Sequence, residues 1–439
     1  MKILVSVWAL SLTMGSFAYG QAVPSVNTTI SSTGSNPNVP AMDGTLHYSM
    51  SASEQVQFGY FASDETTSST VLSGNVSFTG KSQELPFSML VSGGVFLSNG
   101  NGQGTSTFWN AAVTQGIIGR RWALTVSDSF SFLPQSPTTG LSGIPGVGDL
   151  GSQPVQGPVT GPGGGILTYS GDRYVNSLSG SIERQIAPAT SISGSGSWSV
   201  IHFLDEFAGL DNNEASGVVA LNHRLDGRSS VSLNADYTTF SYSGSNTGPG
   251  TPDFQTKGIN LSYQRLLNRG LSMAVSGGPL WISSSDSAVI PTRLSAAASA
   301  SLNYTRNVTN ASLNYSRGAN AGSGVIPGAL SDTILGSVGR TFGRKWVTSA
   351  DGGYAHSTGL AEYTVEGFLI GINEVYNTVF AGVQLTRGLS VHYSTYASFT
   401  VQHQTSNYSF AGLNGFNGTS EVFGIGITFT PRSTRLGQF

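Results

Sequence analysis

The chain has no cysteine. That excludes a disulfide framework, thiolate metal sites, cysteine nucleophiles and a lipid anchor on a cysteine behind a leader. Charge is also scarce. Asp, Glu, Lys and Arg make up 10% of 439 residues, against about 25% in an ordinary soluble domain. The formal net charge of −3 excludes the basic surface that a nucleic-acid partner requires. After the N-terminal segment no stretch approaches the roughly 20 continuous apolar residues of a spanning helix. Catalytic signatures are missing too. The histidines His47, His202, His223, His356, His392 and His403 show no zinc spacing, and there is no Gly-x-Ser-x-Gly elbow. Gly163-Gly164-Gly165 opens no helix, so it is no phosphate loop. The sequence therefore implies no cofactor, no metal and no enzyme. His392 and Asp351 are the one pair that could serve a dispersed catalytic site, and each reads better as a solvated residue of a polar interior.

What the chain has instead is Gly, Ser, Thr and Asn as its source of polarity, with a mean hydropathy of −0.01. It also has 22 Phe, 16 Tyr and 6 Trp, too many aromatics for a disordered chain. Lys2 precedes an apolar run, and Ala18-Tyr19-Gly20 offers small residues for cleavage, so residues 1–22 read as a secretory signal. Residues 23–44 are rich in Pro, Ser, Asn, Thr and Gly and read as a flexible lead-in.

From residue 45 a unit recurs: a strand ends in a basic residue, a short turn follows, and an alternating strand begins. Arg184, Arg224, Arg265, Arg306, Arg340 and Arg387 mark it at intervals of 34 to 47 residues. A period near 40 residues also suits propellers and helical solenoids. The segments have period 2, which excludes helices. Each unit holds two strands of about ten residues, not the four of a propeller blade, and that is the pattern of a membrane-spanning barrel. Eighteen strands are expected, within a range of 16–18. They fall near 46–62, 70–79, 86–97, 105–116, 121–132, 173–184, 190–203, 214–224 and 229–242. The remainder fall near 254–266, 270–283, 293–306, 311–320, 331–341, 345–356, 367–386, 389–403 and 421–430.

Alternate side chains of a strand face opposite ways. Val231, Leu233, Ala235 and Tyr237 oppose Ser232, Asn234, Asp236 and Thr238. Ile259, Leu261, Tyr263 and Arg265 oppose Asn260, Ser262 and Gln264, and Val379, Ala381, Val383 and Leu385 oppose Thr378, Phe380, Gly382 and Gln384. The apolar set is expected to meet lipid and the polar set a lumen, because in lipid a sheet must close to satisfy its backbone. Tyr263 with Arg265 and Tyr304 with Arg306 are then interface anchors near the short turns. Glu183, Asp236, Asp351, Gln384 and His392 are the candidate lumen-lining residues.

The last strand, EVFGIGITFT at 421–430, carries Phe423, Ile425, Ile427 and Phe429 on one face, with Gly424, Gly426 and Thr428 between. This resembles the closing strand of Gram-negative outer-membrane β-barrels of the porin-like kind. In that family the strand ends in an aromatic, usually the final residue, which the barrel assembly machinery recognises. Here Phe429 closes the strand, and a tail, 431–439, follows and ends in Phe439. The resemblance implies one all-β, up-and-down antiparallel barrel over 45–430, in outer-membrane lipid, with both termini in the periplasm. It also implies a passive channel for small polar solutes. A structural or surface barrel, or the port of a polysaccharide or protein export system, is the rival. Loop 133–172, rich in Pro and Gly and nearly uncharged, is either a surface loop or a segment folded into the lumen.

Overall fold

A computed structural model describes residues 44–436, except 61–62, 81, 83, 99–104, 134–165, 167–172, 205–209, 244–251, 323–325, 344, 362, 366–367, 371–373, 408–416 and 433. The expected leader, the lead-in up to residue 43, and Phe439 lie outside the described residues. The first strands are β1 (Gly44–Tyr60), β2 (Ser63–Thr79), β3 (Phe87–Ser98), β4 (Ser106–Ile118), β5 (Trp122–Leu133), β6 (Arg173–Ala187) and β7 (Thr190–Phe203). The middle ones are β8 (Asp211–Arg224), β9 (Ser229–Ser243), β10 (Phe254–Asn268), β11 (Leu271–Ser284), β12 (Arg293–Arg306), β13 (Thr309–Asn320) and β14 (Ala329–Phe342). Then come β15 (Trp346–Gly359), β16 (Tyr363–Val365), β17 (Phe368–Ile370), β18 (Val375–Gly388), β19 (Tyr393–Ser406), β20 (Gly418–Phe429) and β21 (Thr434–Leu436).

Each long strand pairs antiparallel with the next, and β20 pairs with β1, so the sheet closes. The result is an 18-stranded barrel. Closure matters because every ladder N–H and C=O then has a partner and no edge faces lipid. The seam runs from Met50↔Phe429 to Phe58↔Glu421. Phe423 meets Phe58 edge-on at 6.1 Å and Phe399 at 4.6 Å. Just past the seam Gly59 takes φ +70, and a Cβ there would stand 2.3 Å from the Thr419 carbonyl oxygen, so only glycine fits.

The turns at the Arg-bearing strand ends are short. In the β12–β13 turn Asn307 takes φ 50, a conformation that asparagine tolerates. In the β8–β9 turn the Arg228 N–H donates to Asp226 Oδ1 at 2.5 Å, and that bond leads in holding the Asp226 carboxyl below its usual range. Pro279 lies within β11, and the β10–β11 ladder skips the positions around it before resuming in the same register. Proline has no N–H to offer there.

Exposure fixes the two faces. Leu261 (59%), Leu294 (65%) and Ile425 (64%) lead a belt of exposed apolar residues around the outside. The buried polar residues, among them Ser53, Gln57, Ser199, Asn234, Asn260 and Thr378, sit at the alternate positions, inside. All strand faces named from the sequence agree with this register. The anchors Tyr263, Arg265, Tyr304 and Arg306 lie at outward positions near the short turns, beside Arg387 over the Trp346 ring at 5.1 Å and Arg340 over Phe342 at 5.1 Å.

Two expectations need correction. The strand expected over 367–386 divides: β17 pairs with β16 in a small separate hairpin, and the spanning strand β18 begins at Val375. Twenty residues exceed what the belt needs, and the surplus belongs to the outer connection. The strand expected from 389 begins at Tyr393, which leaves His392 in the β18–β19 turn. Beyond Phe429, β21 pairs with β1 over Gly44–Leu46.

Phe429 ends the seam, with Tyr393 at 5.1 Å and the His392 ring at 6.3 Å. Phe429→Ala is expected to reduce folded, membrane-inserted protein several-fold more than Phe439→Ala. Heat-modifiable gel mobility of membrane fractions reads this, and equal losses would reject the assignment.

Candidate functional site

The inner wall combines shelter with polar chemistry. Its sequence origin is simple: along the strands, most inward positions carry Ser, Thr, Asn, Gln or Gly, with apolar residues gathered toward the mouth. Cross-strand hydroxyl pairs tie neighbours together, as in Ser51 with Ser73 at 2.6 Å, Ser276 with Ser299 at 2.7 Å and Ser312 with Ser337 at 2.7 Å. Such pairs satisfy the wall without any charge.

Four of the five candidate lumen residues lie on this inner register. Glu183 accepts a bond from Ser191 Oγ at 2.6 Å. Asp236 accepts from Asn260 Nδ2 at 2.7 Å. Gln384 donates to Thr386 Oγ1 at 3.2 Å. Asp236 and Asp351 share a device. Each stands opposite a glycine of the adjacent strand, Gly258 and Gly382 respectively. A Cβ at 258 would fall 2.5 Å from Asp236 Oδ1, and one at 382 would fall 3.3 Å from Asp351 Oδ1, so the missing side chains leave the carboxylates room. The fifth candidate, His392, is at the turn, where its Nδ1 is 3.4 Å from the Thr430 carbonyl oxygen. Its contacts are with the closing strand, and it does not join Asp351 in a catalytic pair.

The sequence reading missed the charged residues near the mouth at the long-connection end of the barrel. Arg173, Glu214 and Arg293 face inward at the outer ends of β6, β8 and β12, and Arg173 and Glu214 are only 6% exposed. Burial pushes the Glu374 carboxyl, in the connection before β18, up to about 7. Arg173 and Arg293 each open a strand, where an arginine reads as an interfacial residue; alternation puts Arg293 on the face of Ser295 and Arg173 on the face of Glu183, but no local pattern shows that these strand ends are buried.

Two apolar clusters occupy the same mouth. One gathers Phe240, Phe254, Leu280, Ile282, Ile290 and Leu360, with Phe240 and Phe254 stacked at 4.3 Å. The other sets Ile166 against Ile326, Ala329 and Tyr376. Ile166 belongs to the long β5–β6 connection, whereas Ala329 and Tyr376 begin β14 and β18 on the far side of the ring. That connection therefore reaches across the mouth at Ile166. The rest of it lies outside the described residues.

Two outward carboxylates within the belt each take a polar neighbour. Glu54 accepts from Thr70 Oγ1 at 2.7 Å, and Asp128 accepts from Asn176 Nδ2 at 3.2 Å. Further out, Arg317 pairs with Asp332, which also accepts from the Tyr315 hydroxyl at 2.8 Å.

No family model matches the chain, and no curated protein matches it. Among solved structures the chain is similar to OccK2 (OpdF) of Pseudomonas aeruginosa in complex with glucuronate. Identity is 11%, coverage is 89% of this chain and 98% of that one, and the TM-score is 0.44. It is also similar to OpdK of Pseudomonas aeruginosa with vanillate, at 9% identity, 89% and 99% coverage and a TM-score of 0.42. OccK5 (OpdH) of the same organism matches at 9% identity, 90% and 100% coverage and a TM-score of 0.43.

Proposed function

We propose that the protein is a passive outer-membrane channel for small polar solutes. The observation that carries this reading is the division of the closed sheet: an outward belt of Leu, Val and Ile and an inward wall of hydroxyls and amides. A barrel of about 18 strands has width for a water-filled path. Neutral hydrogen-bonding groups along that path let polar solutes exchange hydration without holding them tightly. The short turns and the ends of the chain lie on the periplasmic side in this reading, and Phe429 is the residue offered to the assembly machinery. The apolar clusters at the mouth favour the rival, a closed or export-linked barrel, and conductance separates the two.

The inward acids Glu183, Asp236 and Asp351 line the wall away from the mouth, where the described inward arginines Arg173 and Arg293 stand, with Arg224 at the opposite rim. Those acids give that part of the path a negative potential, screened beyond roughly 8 Å at physiological salt. In planar bilayers the protein is expected to conduct and to prefer cations weakly, with a preference that fades as salt rises. Asp236→Asn with Asp351→Asn should shift the reversal potential toward zero without closing the path, since neither carboxylate joins the backbone ladder. Anion preference in the unmodified protein contradicts the lining; complete silence contradicts the channel.

A further inference from the structure

Four glutamines stand together on the inner wall near its outer end. Gln55 and Gln57 are alternate residues of β1, and Gln402 and Gln404 are alternate residues of β19. Only β20 separates the two strands. Strand spacing places the two pairs about 10 Å apart, and the members of each pair about 7 Å apart. We propose that this amide patch binds uncharged polyhydroxylated solutes, of the size of one or two sugar rings. The inference rests on the channel reading above and names a solute class for it.

The chemistry of the patch selects that class. The glutamines are 2%, 1%, 6% and 0% exposed, in the order Gln55, Gln57, Gln402, Gln404. Gln57 Nε2 donates to Ser420 Oγ at 2.6 Å, and Thr378 Oγ1 donates to Gln404 Oε1 at 2.6 Å, so the floor is held in place. Yet Oε1 of Gln55, Gln57 and Gln402 are buried and have no hydrogen-bond partner among the described residues. A sheltered amide oxygen without a donor is unfavourable, and three in one patch form an array that a donor-rich solute completes. Each amide both donates and accepts, as does each hydroxyl of a sugar. Among the described inward neighbours an ion finds no counter-charge. The inward neighbours Ser53, Ser398, Thr400, Ser420 and Val422 are neutral, and Glu54 and Glu421 point outward.

Sucrose and tetraethylammonium chloride, added to single channels in planar bilayers at fixed salt, serve as probes. Sucrose is expected to interrupt the current with a half-blocking concentration on the order of millimolar, and tetraethylammonium is not. Gln57→Leu with Gln402→Leu should raise that concentration by about tenfold or more and leave the sugar-free conductance nearly unchanged. Conductance without sucrose block, or equal block by both probes, overturns the site and leaves the channel reading standing. A silent barrel overturns the channel reading alone. The site is then read by calorimetry of sucrose into detergent-refolded protein: heat that the double variant loses supports it, and no heat from the unmodified protein rejects it. If the double variant does not refold by gel mobility, the contrast between sucrose and tetraethylammonium on the unmodified protein decides.

Discussion

Leu261→Arg is expected to lower the unfolding free energy by about 2–4 kcal/mol, the cost of an arginine at the midplane of a lipid-facing wall. Leu261 is 59% exposed and lies on β10 between outward Lys257 and outward Arg265, so it marks the centre of the belt on that strand. Its cross-strand neighbour Leu233 is equally apolar and outward, and offers no counter-charge. Ser299→Arg, by contrast, adds the same charge to the inner wall, where water can solvate it. It loses only the bond to Ser276 and should cost about 1 kcal/mol. Ala298 is a poorer probe than Leu261, because it stands opposite Arg317 and a second arginine would be repelled there whatever the solvent. Urea unfolding in lipid vesicles, followed by tryptophan fluorescence, measures the difference. Equal effects of Leu261→Arg and Ser299→Arg would mean that the outward belt does not meet lipid.

The second large effect concerns the outward ion pair of Arg317 and Asp332. Asp332→Leu strips the arginine of its carboxylate and leaves a cation on the outer wall beside the Tyr315 hydroxyl. The loss should be about 2 kcal/mol or more, because an unpaired charge taken from water is costly. Arg317→Leu with Asp332→Leu removes both charges and should restore most of that stability. Replacing a desolvated pair by apolar residues is often neutral or better. The informative quantity is the coupling between the two sites in the same unfolding assay. If the double variant is as weak as Asp332→Leu, the pair acts through packing and the electrostatic account is wrong. If neither variant changes stability, the pair sits in the wet headgroup layer, above the belt.

The barrel itself was legible in the sequence because its two determinants are local. Period-2 alternation in Val231–Thr238 or Phe423–Phe429 assigns every side chain to a face before any partner is known. Short turns after each basic residue force neighbouring strands to be antiparallel. Missing cysteine and scarce charge left few other fates for so many apolar strand faces. Where local pattern gave out, the boundaries failed. Residues 367–386 alternate well enough to read as one strand, but the division into β17 and β18 depends on which residues find ladder partners. His392 alternates with its neighbours and still falls in the turn, since the β18–β19 register ends at Gly388↔Ser394.

Tertiary structure alone decided what gathers inside. Gln57 and Gln402 are 345 residues apart in sequence and come within one strand of each other only because β20 closes against β1. Arg173, Glu214 and Arg293 share the mouth because their strands' outer ends do, and no spacing in the chain encodes that. Ile166 reached the far wall for the same reason: a loop without periodicity carries no record of where that residue will pack. In this protein, sequence determines which way each strand residue faces, since that is a property of the extended backbone. Ring closure determines which inward residues meet, since that depends on the partner and register of every strand between them.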